Sequence, residues 1–158
     1  MSKLFRTTLW ILSGIGLIAF LVQTLSTFLI SPLMGLLSLL IAAVLVALVI
    51  YLLQRSPMWA RPARLWALLA FLWGGGVAVS LALISAGPVM QLAIGTGWVD
   101  AMMSWSGAYP EEISKATGVI FVLMSFRQLN RPWHGWMVGA VVGLGFEACE
   151  NILYGAMG

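Results

Sequence analysis

Between Arg6 and Arg55 the sequence carries no charged side chain at all, and that gap constrains the fold more than any other feature. A water-facing surface draws on about 25% charged residues. Here the whole chain of 158 residues has 8% charged against 61% hydrophobic, with a mean hydropathy of +1.02. Disordered chains show the opposite balance, few apolar residues and much charge, so disorder is excluded. One cysteine, Cys149, cannot make an intramolecular bridge, which excludes a disulfide scaffold. The pI near 9.5 rests on 8 basic against 5 acidic residues with no basic run, so it does not point to nucleic acid. The chain reads as an integral membrane protein whose environment is the lipid bilayer.

Crossing about 30 Å of hydrocarbon takes about 20 apolar residues in helical form. Five stretches qualify: 7–30, ended by Ser31-Pro32; 33–53; 65–86, ended by Gly87-Pro88; 109–126, opened by Tyr109-Pro110; and 135–157. The first follows Lys3 and Arg6, but it is longer than a signal-peptide core and has no small-residue cleavage site, so it reads as a retained anchor. Residues 88–108 mix apolar side chains with Gln91, Asp100 and three glycines, and the expectation is an interfacial segment or re-entrant turn. The predicted architecture is an all-α, multi-pass helical bundle of about five transmembrane helices in a single domain, 1–158.

The basic residues set an orientation. Lys3, Arg6, Arg55, Arg61, Arg64, Arg127 and Arg131 fall on one side of a five-span chain, and the excess of Lys and Arg on cytoplasmic loops makes that side the inner one. The N-terminus is therefore expected in the cytoplasm and the protein in the cell membrane. Trp59, Trp66, Trp133 and Trp136 are expected as anchors at the inner interface, and Trp98 and Trp105 at the outer one.

Setting aside those loop charges and Asp100, five ionisable residues remain on the fourth and fifth spans: Glu111, Glu112, Lys115, Glu147 and Glu150. A charge at membrane depth costs about 2.5–3.5 kcal/mol on insertion scales and so marks a functional site. Glu111 and Glu112 stand four and three residues before Lys115, on one helix face. Glu147, Glu150 and Asn151 share a face in the same way. Counting up from the inner loop at about 1.5 Å per residue puts Glu112 and Glu150 both near 22 Å, so the two sets meet at one height. Gly135, Gly139 and Gly143 form a small-residue stripe leading into Glu147, expected to let a neighbouring helix pack closely.

These residues resemble a known family. Glu111-Glu112-Ile113-Ser114-Lys115 reads as EExxK, and Phe146 to Tyr154 reads as FxxxEN followed by LY on the next span. Two such motifs in this order resemble the PrsW family of intramembrane proteases, distant relatives of the CAAX-processing and Abi-type membrane proteases. The resemblance covers about residues 105–158. It implies hydrolysis of peptide bonds in membrane-anchored proteins, with Glu111, Glu112, Lys115, Glu150 and Asn151 as the catalytic set. Glu111 or Glu112 would be the base, Lys115 would hold the other carboxylate ionised or stabilise charge, and Glu150 with Asn151 would position water, bind a metal or stabilise the oxyanion.

The family also uses histidines on later spans, whereas His134, the one histidine here, lies in the basic inner loop. The expectation is a truncated or inactive member. A divalent metal such as zinc is compatible with the family, but these residues hold no complete ligand set, so metal-dependent and glutamate-only mechanisms both stand open.

Plainer readings compete. The two glutamates could serve a helix N-terminus, where carboxylates offset the dipole. Glu150 and Asn151 could be hydrogen-bonding glue between helices, and Cys149 a small packing residue. At the level of function the alternatives are a non-catalytic membrane module and a proton-coupled transporter. The transporter needs a polar path that Gln23, Thr24, Ser26, Thr27, Ser38 and Ser80 are too few to supply.

Overall fold

The computed structural model describes residues 3–62 and 64–155, and folds them into five long helices. They are α1 (Lys3–Ile30), α2 (Pro32–Arg55), α3 (Leu65–Gly95), α4 (Met102–Ser125) and α5 (Pro132–Gly155). The ends of the expected fifth span and of the 105–158 motif region, residues 156–158, lie outside the described residues. Among those described no strand occurs, and α1, α2, α3 and α5 are each long and apolar enough to cross a membrane. The chain is an all-α, multi-pass membrane bundle. α4 is also 24 residues long but carries Glu111, Glu112 and Lys115, which dilute its hydropathy.

A single non-helical residue, Ser31, separates α1 from α2. Its extended backbone breaks the helix, and Pro32 takes the first helical position, where its missing N–H costs nothing. The expected stop at Gly87-Pro88 does not occur. α3 continues through Pro88 to Gly95, because a proline removes only one backbone hydrogen bond and Gly87 has no Cβ to crowd the ring. Tyr109-Pro110 likewise does not open α4, which starts at Met102 and carries Pro110 inside it. The segment 88–108 is therefore the last turns of α3, a short connection around Gly97 and a 3₁₀ turn at Val99–Ala101, and the first turns of α4. It is the bend of a helical hairpin, with helix on both sides of a short connection.

In the middle of α3, Trp73–Ala78 winds as a π-helix with the sequence WGGGVA. Such wide turns are uncommon and cluster at functional sites. Here the missing side chains bring three backbones together. A Cβ on Gly74 would collide with the Val142 carbonyl of α5, and one on Gly76 with the Gly16 carbonyl of α1. A Cβ on Gly145 would strike the Phe71 carbonyl from the opposite side. Lipid tails are as apolar as leucine, so close packing and interhelical hydrogen bonds are what hold such helices together.

The stripe expected to do this work does less. Gly135 and Gly139 face Leu123 and Val119 of α4 at ordinary contact distances, and Gly143 has nothing within 4 Å of where its Cβ would be. The stripe faces α4 at ordinary packing distance and is not the closest seam of the bundle. The close one runs through Gly145, where the backbone of α3 is bare.

The tryptophans also divide differently. Trp66 is fully buried and donates from Nε1 to the Ala60 carbonyl at 3.1 Å, with Trp59 packed against it at a ring separation of 4.7 Å. Those two pin the connection between α2 and α3 instead of facing lipid headgroups. Trp98, Trp133 and Trp136 are exposed, as anchors need to be.

Candidate active site

Pro110 deprives the Ser106 carbonyl of its backbone donor two turns into α4, and Glu111, Glu112 and Lys115 follow immediately. Because the helix begins at Met102, neither glutamate stands at its N-terminus, and the dipole reading falls. Successive residues on a helix diverge by about 100°, so Glu111 and Glu112 face different surroundings. Glu111 is half-buried, with 31% of its side chain exposed, while Glu112 is 72% exposed. Lys115 links them: its Nζ is 2.7 Å from Glu112 Oε1 and 3.9 Å from Glu111 Oε2. The same ammonium lies 4.2 Å from the centre of the Phe146 ring on α5, a cation–π contact that ties the pair to the neighbouring helix.

From α5, Glu150 turns toward this cluster. Glu111 and Glu150 line one cavity of about 470 Å³, bounded by α1, α3, α4 and α5. Its other polar lining comes from Gln23 and Ser26 of α1, Ser106 of α4 and Tyr154 of α5, and its apolar wall includes Met90, Met103 and Leu153. A cavity of this size admits a short stretch of polypeptide along with water, and it sets two carboxylates from different helices toward a common space.

Not every expected residue joins it. Asn151 is exposed, on another face of α5 from Glu150, and Glu147 is exposed as well. Glu112 contributes through Lys115 and not through the cavity wall. His134 is buried in the first turn of α5 instead of lying in a loop. Its Nδ1 accepts the Arg131 backbone N–H at 3.0 Å, closing the turn that leads into the helix. Along the axis it stands about 24 Å from Glu150 at ~1.5 Å per residue, so it belongs to the far end of the bundle.

Three contributors were not expected. Gln23 donates to Ser80 Oγ of α3 at 3.1 Å and accepts from Cys149 Sγ of α5 at 3.2 Å, and the Ser80 hydroxyl donates onward to the Gly76 carbonyl at 2.7 Å. This chain of hydrogen bonds crosses three helices beside the cavity and ends on the π-helical turn. Tyr154, one helical turn beyond Glu150, brings a phenol into the cavity. Trp73 donates from Nε1 to the Ser114 carbonyl at 3.0 Å, with its ring on bare Gly118, and so holds α4 against α3. The one amide in an uncharged first span was the available signal for Gln23. The packing of Trp73 on Gly118 left no such mark.

A divalent zinc centre in an enzyme takes three protein ligands and a water. Among the described residues no group of three His, Cys, Asp or Glu side chains is placed to hold a metal ion. The described side chains of the cavity supply two carboxylates and a phenol, which do not amount to a complete zinc site.

Compared with known proteins, the chain finds no match among curated sequences or solved structures. A family model does match, that of the PrsW family intramembrane metalloproteases, over residues 62–158. The match begins well before the two glutamate motifs and takes in all of α3, the helix that carries the π-helical turn and the back wall of the cavity.

Proposed function

The chain belongs to the PrsW family of intramembrane metalloproteases, and from that premise we propose that it hydrolyses peptide bonds of membrane-anchored proteins in the cavity between α4 and α5. The observation that carries this reading is that Glu111 and Glu150, from separate motifs on separate helices, line the same space. The seven basic residues at the opposite end support an N-terminus in the cytoplasm of a cell-membrane protein, which puts the glutamates in the outer half of the bilayer.

Amide hydrolysis needs a base to take a proton from water, charge stabilisation at the carbonyl oxygen, and an acid for the leaving amine. One carboxylate of the Glu111–Glu150 pair accepts the water proton as the oxygen bonds to the carbonyl carbon. The other, when protonated, gives its proton to the amine nitrogen as the C–N bond breaks. The Tyr154 hydroxyl lines the same cavity and is a donor for the developing oxyanion. Lys115 acts as a positioning residue: held by Glu112 and by the Phe146 ring, it fixes Glu111 and keeps a positive charge nearby. The metal that the family name implies has an incomplete ligand set among the described residues.

The test uses the full-length protein in liposomes with a single-span reporter substrate. Glu111→Gln and Glu150→Gln should each lower the cleavage rate by about 10²–10⁴-fold, with protein abundance unchanged. Glu112→Gln, outside the cavity, should lower it by less than either. Cleavage persisting at full rate in both cavity variants would remove the catalytic assignment.

A further inference from the structure

At the end of the bundle remote from the glutamates, the chain gathers positive charge with nothing to neutralise it. No acidic residue occurs before Asp100, and none occurs between Lys115 and Glu147. The only ion pairs among the described residues are those of Lys115. Two cavities open there. One of about 620 Å³ is lined by Arg61, Trp59 and Gln54, and one of about 470 Å³ by Arg6, Arg127 and Trp10. Both also use Leu65, Phe126 and Gln128, so the two form one groove with a shared wall.

The groove is amphipathic in a specific sense. Its rim carries three exposed arginines, while its floor includes buried Trp59 and Phe126. Exposed Leu65 and Trp10 lead from the groove onto the outer surface of α3 and α1. Gln128 braces it by donating from Nε2 to the Pro62 carbonyl at 3.4 Å, which joins the α2–α3 connection to the α4–α5 connection. Arginine's planar fork suits phosphate oxygens, and basic pockets at the ends of membrane helices bind acidic lipid headgroups. An apolar path beginning at the same residues suits acyl chains.

We propose that this groove binds the phosphate headgroup of an anionic phospholipid, with Arg6, Arg61 and Arg127 as the recognising residues and the acyl chains lying along Trp10 and Leu65. The bound lipid supplies the negative charge that this end of the protein lacks, and bridges α1 to the two connecting segments. Lipid binding at this end of the bundle does not depend on protease activity at the other.

Native mass spectrometry of the full-length protein released from mixed nanodiscs of phosphatidylglycerol and phosphatidylcholine tests it. Wild-type protein should retain phosphatidylglycerol in preference to phosphatidylcholine. An arginine near a charged lipid surface contributes about 1 kcal/mol, or about fivefold in affinity. Arg61→Gln and Arg127→Gln should therefore each weaken retention about fivefold, and the pair together about 25-fold. Arg55→Gln removes an equal charge that lies over Tyr51, outside the groove, and should change retention little. Equal retention by wild type and the double variant would overturn the site, as would a loss in Arg55→Gln as large as in Arg61→Gln. Millimolar inorganic phosphate should not displace the lipid; if it does so completely, the groove is an anion site without lipid recognition and the proposal fails.

Discussion

The two most instructive regions are α2 and α5, which have equal length and opposite character. α2 is the most apolar of the four helices apolar enough to span a membrane, yet almost none of its apolar stretch is buried in the protein. α5 is the least apolar of the four, and half of its apolar stretch is buried. In a water-soluble domain the most apolar helix would be the core. In a bilayer the solvent is itself apolar, so hydrophobicity tracks contact with lipid, and the interior is marked by small and polar residues. Gly145, Cys149 and Glu150 face protein, whereas Leu40, Val44 and Leu48 are exposed.

The largest effect is expected within α5 itself, between its packed and its open face, and comes from adding one carbon to a glycine. Gly145→Ala puts a methyl group into the Phe71 carbonyl, a backbone atom that cannot rotate away, whereas Gly143→Ala adds one where nothing stands within 4 Å. Overpacking costs about 1–3 kcal/mol where neighbours can adjust, and more where backbone must move. Unfolding in mixed micelles should show Gly145→Ala destabilised by about 3 kcal/mol. Gly143→Ala should be neutral or slightly more stable, since alanine favours helix over glycine by about 1 kcal/mol. Equal losses would mean that the seam between α3 and α5 is looser than the two glycines indicate.

A smaller effect comes from the hydrogen bonds around Gln23. Gln23→Leu keeps the helix apolar and removes both the donor to Ser80 and the acceptor for Cys149. Polar contacts between membrane helices are worth about 0.6 kcal/mol on average and up to about 1.7. The expected destabilisation is about 1 kcal/mol, with a further loss of proteolytic rate because Gln23 lines the cavity beside the glutamates. A variant with unchanged stability and unchanged rate would leave α1 as a passive anchor and sharpen its likeness to α2.

What could be read in advance divides along the same line. The runs of apolar residues gave the class of fold, and the motifs at 111–115 and 146–154 gave the family, because charge in lipid is costly enough to stand out in one dimension. Glu111, Lys115 and Glu150 were legible for that reason. Which neighbour of Glu111 turned outward was not, since the phase of α4 depends on its start at Met102 and on a proline that the helix absorbs. The π-helical turn was hidden as well. Gly74-Gly75-Gly76 announces flexibility in a sequence, but not that the wide turn forms where α1 and α5 approach it from two sides. Trp59 and Trp66 misled for a related reason: indoles near a membrane end serve equally as headgroup anchors or as packing between loops, and only the Ala60 carbonyl decides which.

The smallest effect is the one that tests the comparison itself. Leu40 on α2 is 55% exposed, and Val138 on α5 is completely buried. Leu40→Ala removes three carbons and Val138→Ala two, so a count of carbon alone would make Leu40→Ala the more damaging change. In a bilayer Leu40 contacts lipid whether the helices are associated or apart, so the transfer contribution cancels and only a lost insertion preference of about 0.3–0.6 kcal/mol remains, which does not enter the unfolding of an inserted helix. Val138→Ala leaves a void among packed side chains and should cost about 1 kcal/mol. Measured by steric trapping in bicelles, Leu40→Ala should fall within about 0.5 kcal/mol of wild type, below Val138→Ala. If Leu40→Ala costs as much as Val138→Ala, then α2 is covered by protein in the membrane, and its exposed face is an interface that a second chain occupies.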